Sequence, residues 1–297
     1  MPSGFHGNGA VRMAVFVIGA SSQIGHCLLP RLIDAGHEVV ALSRRARADT
    51  SRIQWQQGRL PDRMPAAERY DAIISFGPLL ALAEWLAVQA AAPAPRLVAT
   101  SSMSALTKRN SVVADEVEVA RRLRQGEDEV ARQCERLGIG WTLLRPTLIY
   151  GVGMDKSLTP LARRALRWRV FPIPAARGLR QPVHADDLAQ AVVRALAVPE
   201  AQGGTFEFGG GERISAETMF CRVRDSLPRA TLALPLGRPA QALVRTLWPA
   251  SRGPLSRLDQ DLIADNDQAV SVLGVSPRPF RPDAKMWQAP ETEAGHR

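Results

Sequence analysis

Apolar residues follow two alternating rhythms through the first half of the chain. Ala14 to Ile18 is a continuous apolar, β-branched run of strand length. Gln23 then opens a helical period carried by Ile24, Leu28, Leu29, Leu32 and Ile33, and Gly36 stops it. Val39 to Leu42 is apolar again. The strand, turn, helix and strand together span about 30 residues, the size of one βαβ crossover. Ile53 to Gln57, Tyr70 to Phe76, Arg96 to Thr100 and Trp141 to Leu144 read as four more short strands. Helical periods over Leu79 to Ala91 and Asp115 to Leu137 lie between them. Strands alternating with helices predict an α/β fold with a doubly wound parallel (Rossmann) sheet.

Past residue 150 the rhythm changes. Prolines and arginines become frequent and the elements shorten. Helices are predicted over Leu158 to Trp168, after Asp186 and Asp187 through Ala197, and over Ser215 to Ser226, Pro239 to Leu247 and Leu255 to Ala264. Short strands are predicted at Val170 to Ile173, Gln181 to His184 and Thr205 to Phe208, the last returning to the main sheet. The expected organisation is a loose extension over 1–12, a nucleotide-binding domain over 13–157, a smaller C-terminal substrate lobe over 158–283 and a disordered tail over 284–297.

The first turn carries recognisable chemistry. Gly19 lets the chain leave the strand sharply, and Gly25 lets helix and strand approach closely. The helix-start amides can then face a pyrophosphate, aided by the helix dipole. Ser22 stands where a dinucleotide turn commonly has its middle glycine, and its hydroxyl can donate to phosphate. Gly19, Ser21, Ser22, Gln23, Ile24 and Gly25 are the expected cofactor cradle. The second strand ends in Ser43-Arg44-Arg45, with no acid before Asp49. An acid there would bind the ribose 2′-OH of NAD, whereas arginine accommodates the 2′-phosphate of NADP. NADP is therefore the expected cofactor, with NAD as the alternative. Phe76, Gly77, Ser101 to Ser104 and Pro146 also follow strand ends, where ligands of such sheets lie.

Composition adds limits. A chain of 297 residues needs no disulfide or metal to hold a core. No apolar run reaches the length of a membrane span, and residues 1–12 lack the order of a signal peptide. Cys27, Cys134 and Cys221 are scattered without metal spacing, which suggests reduced thiols and a cytoplasmic location. The net charge of +9 comes from arginine, with lysine only at 108, 156 and 285. Aromatics are 5% of the chain, and no zinc-finger, basic-zipper or RNA-platform pattern is present. Phosphate-bearing small molecules are thus expected as partners rather than nucleic acid. The stretch Arg163 to Phe171 mixes cations with large apolar groups. A helix packed on the main domain is the favoured reading, and an anionic membrane surface is the other.

Four segments resemble the extended short-chain dehydrogenase/reductase superfamily, the branch of nucleotide-sugar epimerases and dehydratases, over roughly residues 13 to 283. They are Val17 to Gly25, Ala99 to Ser104, Leu144-Arg145-Pro146 through Gly151, and Arg180-Gln181-Pro182-Val183-His184-Ala185-Asp186-Asp187. The resemblance implies hydride transfer assisted by a tyrosine, with a lysine four residues on, and a serine that orients the substrate oxygen. It also implies dimerisation through two helices. Ser102 falls at the serine position, and Ser104 and Arg180 at substrate positions. The tyrosine and lysine are absent: their places fall near Val119 and Leu123. Lys108 is the expected substitute acid. Asp115 and Glu116 are further candidates, and Tyr150 and His184 weaker ones. Arg180 would hold a substrate phosphate or pair with Asp186 or Asp187. Two functions stay open: an NADP(H)-dependent oxidoreductase or epimerase with a non-standard acid/base, and a silent NAD(P)-binding regulator or assembly factor of the superfamily's atypical kind.

Overall fold

The computed structural model describes residues 14–65, 68–247 and 257–290. The expected extension over 1–12 and the residues from 291 onward lie outside it. The main domain runs β1 (Val15–Ile18), α1 (Gln23–Asp34), β2 (Val39–Ser43), β3 (Ile53–Gln57), β4 (Ala72–Ser75), α2 (Leu79–Ala87), β5 (Arg96–Thr100), α3 (Ser104–Thr107), α4 (Ala114–Leu137) and β6 (Gly140–Pro146). There follow β7 (Ile149–Tyr150), α5 (Leu158–Trp168), β8 (Val170–Pro174), β9 (Leu179–Arg180), β10 (Val183–His184), α6 (Ala185–Ala197) and β11 (Gly204–Phe208). The chain continues with β12 (Ile214–Ser215), α7 (Ala216–Asp225), β13 (Leu232–Leu236), α8 (Arg238–Leu247) and α9 (Asp267–Leu273).

Seven strands form one sheet in the order β11-β6-β5-β4-β1-β2-β3, and every pair in it is parallel. This is a doubly wound Rossmann sheet. Its central strands β1, β2 and β4 are buried on both faces, which is why they read as near-continuous apolar runs, whereas the edge strands β3 and β11 are not. One face packs α1 and α6 over Val15, Val17 and Ile74. The other packs α2 and α4 over Phe16, Ile73 and Leu97. Gly126 sits where α2 and α4 cross; a Cβ there would come within 2.7 Å of Leu79 Cβ. The strand order reverses between β1 and β4, so a ligand crevice opens beyond their carboxyl ends. As expected, β11 returns from the lobe to pair with β6.

The lobe departs from expectation in three places. The described part of the predicted Leu255 to Ala264 helix is a turn, in which Leu262 bridges to Arg180. Its carbonyls are bound by the Arg180 side chain instead of by a helix ladder. The Gln181 to His184 strand is two short ones, β9 and β10, interrupted at Gln181-Pro182. The expected tail begins as a packed element: Ala284–Trp287 is a 3-10 turn capped by Asp283, and Trp287 is buried with its indole N–H on Ser226 Oγ at 2.8 Å.

Candidate functional site

The cradle after β1 has the form that its sequence predicts. Gly19 takes φ +78°, and a Cβ there would meet Phe76 Cβ at 3.2 Å. A Cβ on Gly25 would lie 2.2 Å from the Ala20 carbonyl oxygen, so only glycine fits. Ser22 caps α1, its hydroxyl accepting from the Gly25 amide at 3.2 Å. That leaves the hydroxyl's own proton free to donate. The amides of Gln23 and Ile24 carry no hydrogen bond among the described residues. Ser21 lies in the same turn. Unpaired amides at a helix start, with the helix dipole behind them, suit an anion. Beyond β4, Gly77 N–H donates to Ser75 Oγ at 3.2 Å and lines the far side of the switch point with Phe76.

The end of β2 is strongly basic. Ser43 Oγ accepts from the Arg45 amide at 3.2 Å, turning the chain, and like Ser22 it keeps its own proton to donate. The parallel register sets Ser43 beside Gln57, which brings the next residues of both strands together. An open cavity of about 500 Å³ results, lined by Arg44, Gln57, Gly58, Arg59 and Arg63. Arg59 and Arg63 exchange backbone hydrogen bonds at 2.7 and 2.9 Å, and Arg59 also reaches Asp62 at 3.4 Å. Sequence reasoning found Arg44 and missed the other two arginines. Their signal was present: they follow β3, the parallel neighbour of β2.

At the other end of the crevice, Ser102 Oγ accepts from the Ser104 amide at 3.1 Å, at the start of α3. Met103 N–H donates to the Pro146 carbonyl at 2.9 Å, tying the ends of β5 and β6 together. Lys108 closes the short α3. It is no solvated loop lysine: its side chain is 19% exposed, with Nζ 3.9 Å from Glu116 Oε1. The same oxygen lies 2.8 Å from Arg257 Nη2, and Ser111 Oγ donates to Glu116 Oε2 at 2.7 Å. Burial, then the Arg257 charge, lowers the Lys108 pKa, with Glu116 opposing.

Arg180 joins this cluster from the lobe. Its Nη1 donates to the carbonyls of Gln260 (2.7 Å) and Leu179 (2.8 Å), and its Nη2 to that of Arg257 (2.7 Å). The expected pairing with Asp186 or Asp187 does not form. Asp186 takes a bidentate bond from Arg31 at 2.8 Å and a further one from Arg278, and Asp187 also binds Arg278. Burial and Arg257 pull the Arg180 pKa down to about 10. Its hydrogen bonds among the described residues go to carbonyls alone, and the Asp261 and Asp259 charges offset its own only in part.

The weaker candidates serve the fold. Tyr150 is fully buried, edge-on to His184 and Phe280 at 5.2 and 4.7 Å between ring centres. Burial pushes its pKa up. His184 caps α6, its Nδ1 accepting from Asp186 N–H at 3.1 Å. Cys27 and Cys134 are pushed to about 12 by burial and are poor nucleophiles. Asp115 is exposed, and of the two acids at the start of α4 only Glu116 is buried. On α4, Val119 is 42% exposed and Leu123 half-buried. One network escaped sequence reasoning. Buried Glu127, one turn past Leu123, accepts from Ser101 Oγ and takes a bidentate bond from Arg145 at 2.8 and 2.6 Å. Its signal was position alone: of the acids Glu127-Asp128-Glu129, only Glu127 is buried with Gly126 and Val130 on the inner stripe of α4.

Residues 15–102 match the model of the NAD dependent epimerase/dehydratase family. No curated protein sequence matches the chain. Among solved structures, MoeE5 in complex with UDP-glucuronic acid and NAD is 20% identical, with a TM-score of 0.71 over 92% of this chain and 98% of that one. UDP-glucuronic acid 4-epimerase from Bacillus cereus, in complex with NAD, is 15% identical, with a TM-score of 0.71 over 93% and 97%. UDP-glucose 4-epimerase from Thermotoga maritima is 15% identical, with a TM-score of 0.66 over 92% and 97%. At such identities the likeness is one of fold.

Proposed function

We propose that the protein is an NADP(H)-dependent oxidoreductase or epimerase acting on a phosphate-bearing, nucleotide-sugar-like substrate with Lys108 as its acid/base. The observation that carries this reading is the half-buried Lys108–Glu116–Arg257 cluster at the end of the short helix that Ser102 opens, past the carboxyl end of β5. Gly19 and Gly25 admit the pyrophosphate, and Ser22 with the Gln23 and Ile24 amides holds it. Arg44, Arg59 and Arg63 hold the 2′-phosphate, each charge-assisted contact contributing about 1.5–3 kcal/mol. The cofactor, when bound, supplies or accepts hydride.

The remaining chemistry belongs to this chain. Ser102 orients the substrate oxygen. Lys108 Nζ delivers a proton to that oxygen or removes one, and burial with the Arg257 charge lowers its pKa, which eases that exchange. Glu116 restrains Lys108 and offsets the nearby Arg257 charge. Arg180 attracts the substrate phosphate. The test is incubation of the purified protein with a panel of nucleotide sugars and NADP. Product formation, with a rise in reduced-cofactor fluorescence for net oxidation and without one for epimerisation, supports the reading; binding of NADPH with no turnover of any sugar counts against it.

Val119 and Leu123 favour a second reading. Apolar side chains stand where the resembling family keeps its acid and its ribose-holding lysine. A silent NADP(H)-binding regulator would keep the first half of the crevice and need nothing at the second.

A further inference from the structure

The lobe carries a two-stranded ribbon in which β8 and β13 run parallel, with Val170 beside Leu232 and Pro172 beside Leu234. Side chains alternate across a strand, so these four share one face. The opposite face buries Phe171 in the lobe core. The first face is open: Leu232 is 69% exposed and Leu234 46%. Both faces of the ribbon are thus apolar, yet only one is covered. Trp168, 66% exposed, stands at the end of α5 one residue before the turn into β8. That turn forces Arg169 to φ +61°, and the Leu232 amide donates to the Arg169 carbonyl at 2.8 Å. Trp168, Arg169 and Leu232 are therefore neighbours.

Unpaired arginines flank this apolar ridge along the chain. Arg164, Arg167, Arg169 and Arg229 are exposed, and none forms an ion pair among the described residues. Elsewhere on the surface arginines find acids, as Arg121 does with Glu118 and Arg132 with Glu129. A tryptophan and two leucines flanked by unpaired arginines match a surface that is apolar within and anionic at its rim. A second copy of the same face would bring like charges together, which disfavours self-association there.

We propose that the outer face of the β8–β13 ribbon, with the end of α5, docks on an anionic lipid bilayer. The leucines and Trp168 enter the headgroup boundary, and the arginines meet lipid phosphates. No helix among the described residues is long and apolar enough to cross a membrane, so the contact is peripheral. The proposal is independent of the catalytic reading.

The test is co-sedimentation of the full chain with phosphatidylglycerol/phosphatidylcholine vesicles and with phosphatidylcholine alone, at low and high salt. The expected result is pelleting with anionic vesicles only, weakened by salt. Arg164→Ala/Arg167→Ala should lower partitioning roughly 25-fold, about fivefold per arginine. Leu232→Ser/Leu234→Ser should abolish the salt-resistant remainder, with thermal melting unchanged in both variants. Absence of pelleting, or equal pelleting by folded variants, overturns the proposal. So does a concentration-dependent dimer that the leucine variants dissolve, because it would assign the face to a second copy.

Discussion

The two ends of the crevice are built on different principles. At the dinucleotide end, backbone geometry does most of the work. Gly19 and Gly25 leave no room for a side chain, Ser22 caps the helix, and the arginines need only be near the end of β2. At the other end, side chains from distant parts of the chain must converge. Lys108 ends α3, Glu116 starts α4, and Arg257 and Arg180 arrive from the lobe. A binding end made of backbone survives wide sequence change. A reacting end made of side chains can be rebuilt, and on our reading Lys108 stands in for the pair displaced by Val119 and Leu123.

The largest expected effect separates the two ends. Lys108→Ala should lower turnover by about 10²–10⁴-fold, the usual contribution of a positioned acid or base. NADPH affinity should stay within about twofold. Unchanged turnover in steady-state kinetics would remove Lys108 from the chemistry.

Gly25→Ala should act at the opposite end. Its Cβ would lie 2.2 Å from a backbone oxygen that cannot swing away, so α1 must shift from β1. NADPH affinity should fall about a hundredfold or more in fluorescence titration, a loss of roughly 2.7 kcal/mol. Retained affinity would show that the cradle is not where the nucleotide sits.

The smallest effect sharpens the reacting end. A protonated Lys108 is needed to act as acid, so activity should fall as pH rises through its lowered pKa, below the ordinary 10.5. Glu116→Gln removes the charge that holds this pKa up. The alkaline limb of the pH–rate profile should then move to lower pH. A limb that stays in place would mean that another group titrates.

Much of the main domain was legible in the sequence because its signals are local. Ile53–Gln57 and Arg96–Thr100 match their expected strands to the residue, and so does the amphipathic Leu158–Trp168 helix. The glycine cradle was legible because backbone contacts dictate residue type there. What escaped depends on distant partners. The turn at 257–264 exists because Arg180, some 80 positions away, binds its carbonyls. Trp287 is held by Ser226 and by Arg163, whose Nε donates to the Trp287 carbonyl at 3.0 Å. Arg59 and Arg63 join Arg44 only through the strand register, and Glu127 gains meaning only from Arg145. The acids of the Arg180 to Asp187 motif were visible, but their partners Arg31 and Arg278 were not.

The most direct test of the account is a titration of the purified protein with NADPH and NADH, repeated with Arg44→Ala/Arg59→Ala. The account predicts tight NADPH binding, at least tenfold weaker NADH binding, and loss of that preference in the variant with NADH affinity unchanged. Equal affinity for both nucleotides, or a preference that survives the variant, would contradict the assignment of the arginine cavity. Binding of neither would contradict the account of the crevice as a whole.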